Sequence, residues 1–266
     1  MPPRIAIPMP HSFDPEYSER AIPQYERAVQ LAGGEPVRIP LDQGAADVME
    51  IARHCDAVLL PGSKADIDPA KFHSERSPHT ASVDARRTAV DELLLQDAYN
   101  TRKPIFGICY GLQSLNVYRG GSLIQHIPDF LPEELRARVN HEAGKKVAVA
   151  HAVEIEPQSI LAEIVAAKGY GAEVRGLRSE ARGPVSVPVN SSHHQSAAAI
   201  GQGLRLVARC PDDGIIEALE GTEPDHFVIA VQWHPERSVE FDEPSSAIFR
   251  AFVNAATKSQ ASIAGT

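Results

Sequence analysis

One thiol of this chain lies between two glycines, directly after an apolar run. The segment Gly107-Ile108-Cys109-Tyr110-Gly111 follows Pro104-Ile105-Phe106. A strand that breaks into a glycine-flanked turn and then a helix exposes the side chain at the corner, as in nucleophile elbows. The positive end of the helix dipole favours the nucleophilic thiolate there. Cys109 is therefore the candidate nucleophile, in preference to the small buried hydrophobe that a free cysteine usually is.

A histidine and a carboxylate follow a second apolar strand. The run Phe227 to Gln232 leads through Trp233 into His234-Pro235-Glu236. Open α/β sheets place their ligands at the carboxyl ends of strands, so this segment belongs at the same edge as the thiol. His234 is the candidate base, and Glu236 would orient its imidazole. Taken alone, the segment is equally well a surface turn with an incidental histidine. With Cys109 it indicates a cysteine hydrolase.

Gly62 also follows an apolar strand, in Leu59-Leu60-Pro61-Gly62-Ser63. Its N–H is a candidate oxyanion donor, with the N–H of Tyr110 as the second donor. On the residues alone, an ordinary turn glycine is the better explanation of Gly62.

The segment Asn190-Ser191-Ser192-His193-His194-Gln195 clusters small polar residues after a strand, which suits recognition of a polar substrate. The adjacent histidines suggest a metal site. However, neighbours in sequence rarely bind one ion together, and no set of Asp, Glu or His with metal-site spacing accompanies them. We therefore expect no metal. The following residues are interpreted as structural, surface or loop residues: Cys55, Cys210, His11, His73, His79 and His126.

Composition limits the class of protein. The 266 residues are 43% hydrophobic and 23% charged, as in ordinary globular proteins, and the formal net charge of -9 argues against nucleic-acid binding. A small anionic substrate held by a local positive patch stays possible. Three cysteines without C-x-x-C spacing argue against a disulfide framework or a zinc site and fit a cytoplasmic enzyme. No signal peptide or membrane-spanning run is recognisable, so no membrane association is expected.

Strand and helix patterns alternate along the chain, which predicts one domain over residues 1–266 with an open, mostly parallel sheet and helices on both faces. The predicted strands are 4–8, 36–41, 57–60, 104–108, 147–155, 185–189, 204–209, 215–219 and 227–232. The predicted helices are 21–32, 45–54, 83–100, 110–119, 160–167 and 245–256. Loops are predicted at 63–78 and 170–184, a polar excursion at 128–144, and a hairpin turn at Pro211-Asp212-Asp213-Gly214.

These motifs resemble the class I glutamine amidotransferase superfamily, and within it the γ-glutamyl hydrolases of peptidase family C26. The nearest resemblance is to the γ-glutamyl-γ-aminobutyrate hydrolases of putrescine breakdown. It covers nearly the whole chain and includes the cysteine and histidine motifs, Asn190-Ser191 with His193 and Gln195, Ala32-Gly33-Gly34 and Gly120-Gly121-Ser122-Leu123.

The resemblance implies a flavodoxin-like fold and a cysteine hydrolase with Cys109 as nucleophile, His234 as base and Glu236 as orienter. It implies oxyanion donors at Gly62 and Tyr110. The implied substrate-binding residues are Gln113, Ser191, Ser192 and His193. The implied reaction is hydrolysis of a small γ-glutamyl amide through a γ-glutamyl thioester, without metal or organic cofactor, in polyamine catabolism.

Departures from the family pattern leave the amine specificity open. Tyr110 stands where the putrescine-pathway enzyme has an arginine, Phe72-His73-Ser74-Glu75 replaces a Tyr-Gly-Glu-like segment, and residues 170–184 form a longer stretch.

Three other functions remain open. The chain could be the glutaminase subunit of an amidotransferase with a separate synthetase chain, a folate polyglutamate hydrolase, or a catalytically silent binding protein. The sequence does not determine which amine is released or whether the loops 63–78 and 170–184 gate the site. It also does not determine the oligomeric state, for which a homodimer is one possibility.

Overall fold

The computed structural model describes residues 1–166 and 183–264. Its strands are β1 (Arg4–Pro8), β2 (Glu35–Ile39), β3 (Ala57–Leu60), β4 (Ile105–Ile108), β5 (Leu123–Ile124), β6 (His151–Ile155), β7 (Val185–Val189), β8 (Ser196–Ala197), β9 (Leu204–Arg209), β10 (Ile216–Gly221) and β11 (Val228–Val231). Its α-helices are α1 (Pro15–Leu31), α2 (Ala45–Arg53), α3 (Ala85–Thr101), α4 (Tyr110–Tyr118), α5 (Ile127–Phe130), α6 (Glu133–Arg136), α7 (Ile160–Ala166) and α8 (Glu243–Ala264).

The central sheet has nine strands in the order β2-β1-β3-β4-β11-β10-β9-β6-β7. Strands β2, β1, β3, β4 and β11 run parallel, and the sheet continues through β10, β9, β6 and β7 by antiparallel pairing. Strand β4 pairs with β3 and β11, so their carboxyl ends meet at one edge. The two segments predicted to carry the nucleophile and the base therefore leave the sheet side by side.

Helices cover both faces of the sheet, as predicted. On one face, α1 and α8 pack on β4, with the Phe106 and Phe249 rings 5.2 Å apart. On the other face, α2, α3 and α4 bury apolar side chains, including Val48, Leu94 and Leu115. Each face removes an apolar layer from water, which is the main stabilising contribution in such folds.

Most predicted elements are confirmed with small shifts at their ends. The first helix starts earlier than predicted, at Pro15, because the Asp14 side chain accepts a hydrogen bond from the Tyr17 N–H and proline is favourable in a first turn. The last helix extends over Glu243–Ala264. The predicted hairpin turn is confirmed by the Gly214 N–H, which donates to the Cys210 carbonyl at 2.9 Å.

The predicted loops differ from the structure more than the predicted strands and helices do. The segment 63–78 contains a short 3-10 helix at Pro69–Phe72. The polar excursion contains the one-turn helices α5 and α6, and the strand predicted from residue 147 begins only at His151. Residues 170–182 of the second predicted loop lie outside the described residues.

Candidate active site

Cys109 occupies a sharp corner between β4 and α4. Its backbone has φ 53° and ψ -104°, a conformation that costs a residue with a side chain of the order of 1–3 kcal/mol. Its carbonyl accepts the N–H groups of Leu112 and Gln113, so the helix starts directly after the thiol. The strained corner and the helix start are the features that the sequence predicted for a nucleophile elbow.

The glycines beside Cys109 are required by close backbone contacts. A Cβ on Gly111 would lie 2.1 Å from the Leu60 carbonyl oxygen, and a Cβ on Gly107 would lie 2.8 Å from the Gly111 carbonyl oxygen. Real side chains do not tolerate such distances. The two glycines therefore let α4 start against the ends of β3 and β4.

His234 and Glu236 follow β11 and lie beside the thiol. The His234 Nδ1 is 2.8 Å from the Glu236 Oε1, and both residues are buried. Burial acts against the imidazolium, but the Glu236 carboxylate and the Cys109 thiol outweigh it and raise the pKa of His234 to about 9. The arrangement favours a proton resting on His234 next to the sulfur.

Asn190 fixes the backbone of His234, a role that the sequence did not reveal. Its Nδ2 donates to the His234 carbonyl, and its Oδ1 accepts the His234 N–H, both at 2.9 Å. This paired contact joins the segment after β7 to the segment after β11. The only sequence signal was the position of Asn190 at the end of a strand, because the contact spans 44 residues.

Gly62 lies against the side chains of His234 and Cys109. A Cβ there would be 3.0 Å from the His234 Cε1 and 3.7 Å from the Cys109 Cβ. Its N–H, however, donates to the Tyr25 hydroxyl at 3.0 Å. To donate to an oxyanion, the Gly62 N–H would have to give up its hydrogen bond to the Tyr25 hydroxyl. The Tyr110 N–H lies in the first turn of α4, where an N–H has no acceptor within the helix.

A buried arginine holds the strand end that precedes Gly62. The Arg87 guanidinium donates to the Pro61 carbonyl at 2.7 Å, pairs with Asp91 at 2.7 Å and lies over the Tyr110 ring at 4.8 Å from its centroid. Arg87 is fully buried. The guanidinium is buried because it donates to carbonyl groups of two other segments, at Pro10 and Pro61, and no local sequence pattern indicates these contacts.

The thiol opens into a cavity of about 460 Å³. Its lining includes Tyr17, Lys64, Asp66, Cys109, Tyr110, Gln113, Glu142, Ser192, His193, His234 and Arg237. Cationic and anionic side chains thus face the same space. Although the chain is acidic overall, Lys64 and Arg237 bring positive charge to this cavity, and Lys64 also pairs with Asp14 at 2.8 Å.

The four predicted substrate-binding residues differ in position. Gln113, Ser192 and His193 border the cavity, whereas Ser191 is fully buried and its hydroxyl donates to the His141 carbonyl at 2.9 Å. The Gln113 amide donates to the Gln195 carbonyl at 3.2 Å. Ser191 therefore contributes to the rim through its backbone at most, because its hydroxyl is engaged elsewhere.

Two histidines interpreted as surface or loop residues also border the cavity. The His79 and His126 rings stack with centroids 4.1 Å apart. The two residues are 47 positions apart in the chain, so no local sequence pattern indicated that they would be in contact. Cys55 and Cys210 are buried away from this cavity, in agreement with their structural interpretation.

Among the described residues, no helix combines the length and apolar character needed to cross a bilayer.

Comparison with known proteins places this geometry in a family. The Peptidase C26 profile matches residues 9–236. The chain is 34% identical over 236 residues to "Putative glutamine amidotransferase Rv2859c" of Mycobacterium tuberculosis, covering 88% of this chain and 66% of that protein. It is 30% identical over 235 residues to a γ-glutamyl-γ-aminobutyrate hydrolase of Escherichia coli O157:H7, covering 87% of this chain and 84% of that protein.

The solved glutaminase domain of Trypanosoma brucei CTPS superposes with a TM-score of 0.61 at 19% identity, over 96% of this chain and 94% of that one. The chain therefore has the α/β fold of that glutaminase domain, with a mostly parallel central sheet. The chain belongs to the peptidase C26 family.

Proposed function

We propose that this protein hydrolyses the γ-glutamyl amide bond of a small γ-glutamyl amine, such as γ-glutamyl-γ-aminobutyrate, through a γ-glutamyl thioester. The observation that carries the proposal is the position of Cys109: a strained corner beside the His234–Glu236 pair, at a cavity with both positive and negative side chains. The name of the Escherichia coli relative supports this choice of substrate.

In the proposed reaction, the Cys109 thiolate attacks the γ-carbonyl carbon and the oxyanion is stabilised by the Tyr110 N–H and, once released from Tyr25, the Gly62 N–H. His234 then gives its proton to the leaving amine as the C–N bond breaks, which leaves a thioester on Cys109. Water next attacks the thioester while His234 takes its proton. Glutamate leaves, and the proton on His234 again accompanies the thiolate.

The charged and polar lining of the cavity suits a γ-glutamyl substrate. A γ-glutamyl group carries an α-carboxylate and an α-ammonium, so it needs acceptors and donors in one pocket. Arg237 and Lys64 provide cations, Asp66 and Glu142 provide carboxylates, and Ser192 lies on the rim that we propose receives the α-carboxylate. The net charge of -9 does not oppose this, because the positive groups are local.

The test compares the unaltered protein with Cys109→Ala and Cys55→Ala on γ-glutamyl-γ-aminobutyrate, glutamine and a γ-glutamyl anilide. Cys55→Ala removes a buried thiol outside the cavity and is the matched control. Amine release should fall by more than about a thousandfold in Cys109→Ala, since the covalent route is lost, and stay unchanged in the control.

Intact-mass analysis in the first turnovers should show a γ-glutamyl adduct on the unaltered protein and none on Cys109→Ala. Amine release that survives in Cys109→Ala would refute the mechanism. Inactivity on all three substrates would refute the stand-alone hydrolase and favour a glutaminase that needs a separate synthetase chain.

A further inference from the structure

A second group of chemically active side chains is buried behind the rim of the cavity. It consists of His141, His151, His193 and Glu217, and we refer to it as the His3Glu cluster. The residues come from the loop before β6, the start of β6, the segment after β7 and strand β10. All four are at most 9% exposed, and their ligand atoms lie within 4.8 Å of one another.

One carboxylate oxygen is the centre of the cluster. The Glu217 Oε1 lies 3.2 Å from the His141 Nδ1, 3.4 Å from the His151 Nε2 and 3.5 Å from the His193 Nε2. Within the described part of the chain, these two Nε2 atoms and both Glu217 oxygens make no hydrogen bond of acceptable geometry. Buried polar atoms are normally satisfied, so four unsatisfied atoms in one cluster need an explanation.

The remote nitrogen of each ring makes a hydrogen bond that helps to define its tautomer. The His151 Nδ1 lies 3.0 Å from the Ala152 carbonyl, and the His193 Nδ1 lies 2.8 Å from the Gln195 carbonyl. A carbonyl only accepts, so both Nδ1 atoms carry the hydrogen. In neutral rings, the Nε2 lone pairs then face the Glu217 carboxylate, an arrangement that is repulsive without a cation between them.

The third ring follows the same rule. The His141 Nε2 lies 2.8 Å from the Asp213 carboxylate, and its Nδ1 lies 3.2 Å from the Glu217 Oε1 and 3.5 Å from the Ser191 hydroxyl. Histidines that bind metals almost always donate the other ring N–H to a carboxylate or backbone carbonyl. All three histidines of the cluster have such a partner.

We infer that the His3Glu cluster is a binding site for one divalent transition-metal ion, with Zn²⁺ the best match. Zinc binds imidazole nitrogen and carboxylate oxygen at about 2.1 Å in tetrahedral geometry, which places neighbouring ligand atoms roughly 3.4 Å apart. The three separations between Glu217 and the histidines, 3.2, 3.4 and 3.5 Å, match that spacing. The hard cations Mg²⁺ and Ca²⁺ prefer oxygen ligands and do not suit three imidazoles.

With four protein ligands and full burial, the ion serves a structural role. It joins β6 and β10 to the segment after β7, whose Ser192 and His193 border the cavity. The metal thereby holds one wall of the cavity while the thiol chemistry proceeds without it. The sequence-based expectation that no metal binds rested on the lack of closely spaced ligands. The ligands of this cluster are 10, 42 and 24 residues apart along the chain, so no short motif contains them.

The first test measures metal directly. The full chain is purified without a metal-binding tag and in the Cys109→Ala background, so that the catalytic thiol cannot retain an ion. Elemental analysis should find one zinc per chain after gel filtration. Cobalt(II) added to chelator-treated protein should give the intense visible d–d absorption of a tetrahedral site.

Variants locate the ion. His151→Gln and Glu217→Gln each remove one ligand and should weaken zinc and cobalt binding by about tenfold or more. His226→Gln is the matched control, since His226 is equally buried but its Nε2 lies 2.7 Å from the Lys103 carbonyl, outside the cluster. It should retain the metal. A strong chelator should lower the Tm of the parent and of the control but not that of the ligand variants.

Two results would overturn the inference. If the parent holds no stoichiometric zinc and shows no cobalt absorption, the cluster is a network of imidazolium and carboxylate groups. If the ligand variants keep as much metal as the parent, the ion lies elsewhere. If a ligand variant fails to fold, the absence of cobalt absorption in the parent still overturns the inference.

Discussion

Replacement of Glu236 by glutamine removes the charge beside His234 while it keeps the size of the side chain. The two side chains are 2.8 Å apart and almost completely buried, so solvent screens their interaction little. The variant therefore tests the electrostatic role of Glu236 with little change in packing.

The size of the effect follows from the pKa of His234. Burial opposes its protonation, yet Glu236 and Cys109 raise the pKa from 6.5 to about 9. At about 1.4 kcal/mol per pKa unit, this is of the order of 3 kcal/mol in favour of the imidazolium. If the pKa returns to 6.5 in Glu236→Gln, the protonated fraction of His234 and with it kcat/KM should fall about fourfold at pH 7 and more than about a hundredfold at pH 9.

The pH profile distinguishes this role from a structural one. The alkaline limb of kcat/KM reports loss of the His234 proton and should lie near pH 9 in the unaltered protein. In Glu236→Gln it should move toward the ordinary histidine value. Because the folded-state pKa is raised, His234 contributes stability that is complete below pH 6.5 and is lost as the pH rises through about 9.

The assay is steady-state amine release between acid and alkaline pH, with Glu240→Gln as the control. Glu240 lies on the same segment but is exposed and pairs with Arg27. The reasoning is refuted if Glu236→Gln keeps kcat/KM within about threefold of the unaltered protein and its alkaline limb does not move.

Two further substitutions test the elements that position the thiol. Gly111→Ala places a Cβ 2.1 Å from the Leu60 carbonyl oxygen and should lower the free energy of unfolding by about 3 kcal/mol. The control is Gly183→Ala, whose Cβ enters open space. Equal midpoints of the two variants in urea unfolding would contradict this prediction. Arg87→Met leaves Asp91 buried without its partner and should cost about 3–5 kcal/mol, with much of it recovered by the added Asp91→Leu. Thermal unfolding of the two variants checks the recovery, and an unrecovered loss would show that the carbonyl contacts of the guanidinium dominate.

The corner at Cys109 could be predicted because its signals are local, whereas the role of its thiol as nucleophile stays a prediction. The glycines around Cys109, the apolar run before it and the helix after it occupy consecutive positions, and each has a direct conformational meaning. His234 and Glu236 are likewise two residues apart. Alternation of strand and helix then sufficed to predict that these segments meet at one edge of a sheet.

Contacts between distant segments were not predictable in the same way. The hydrogen bond between Tyr25 and the Gly62 N–H depends on how helix α1 packs against the end of β3. The contacts of Asn190 with His234 depend on how the segments after β7 and β11 pack. Residue type alone does not predict such pairings, because many polar residues could form the same hydrogen bond. The two partners are far apart in the chain, so no helix or strand periodicity relates them.

The sequence by itself determined the α/β architecture and the elbow at Cys109, because short-range sterics and hydrophobic periodicity specify them. Only the tertiary structure decided that the Gly62 N–H is engaged, that Arg87 is buried and that three histidines surround Glu217. Those features arise where the antiparallel extension and the loops fold back on the parallel core. The contacts of Gly62 and Arg87 are hydrogen bonds between buried polar groups, and such pairings are settled only when all partners are in place.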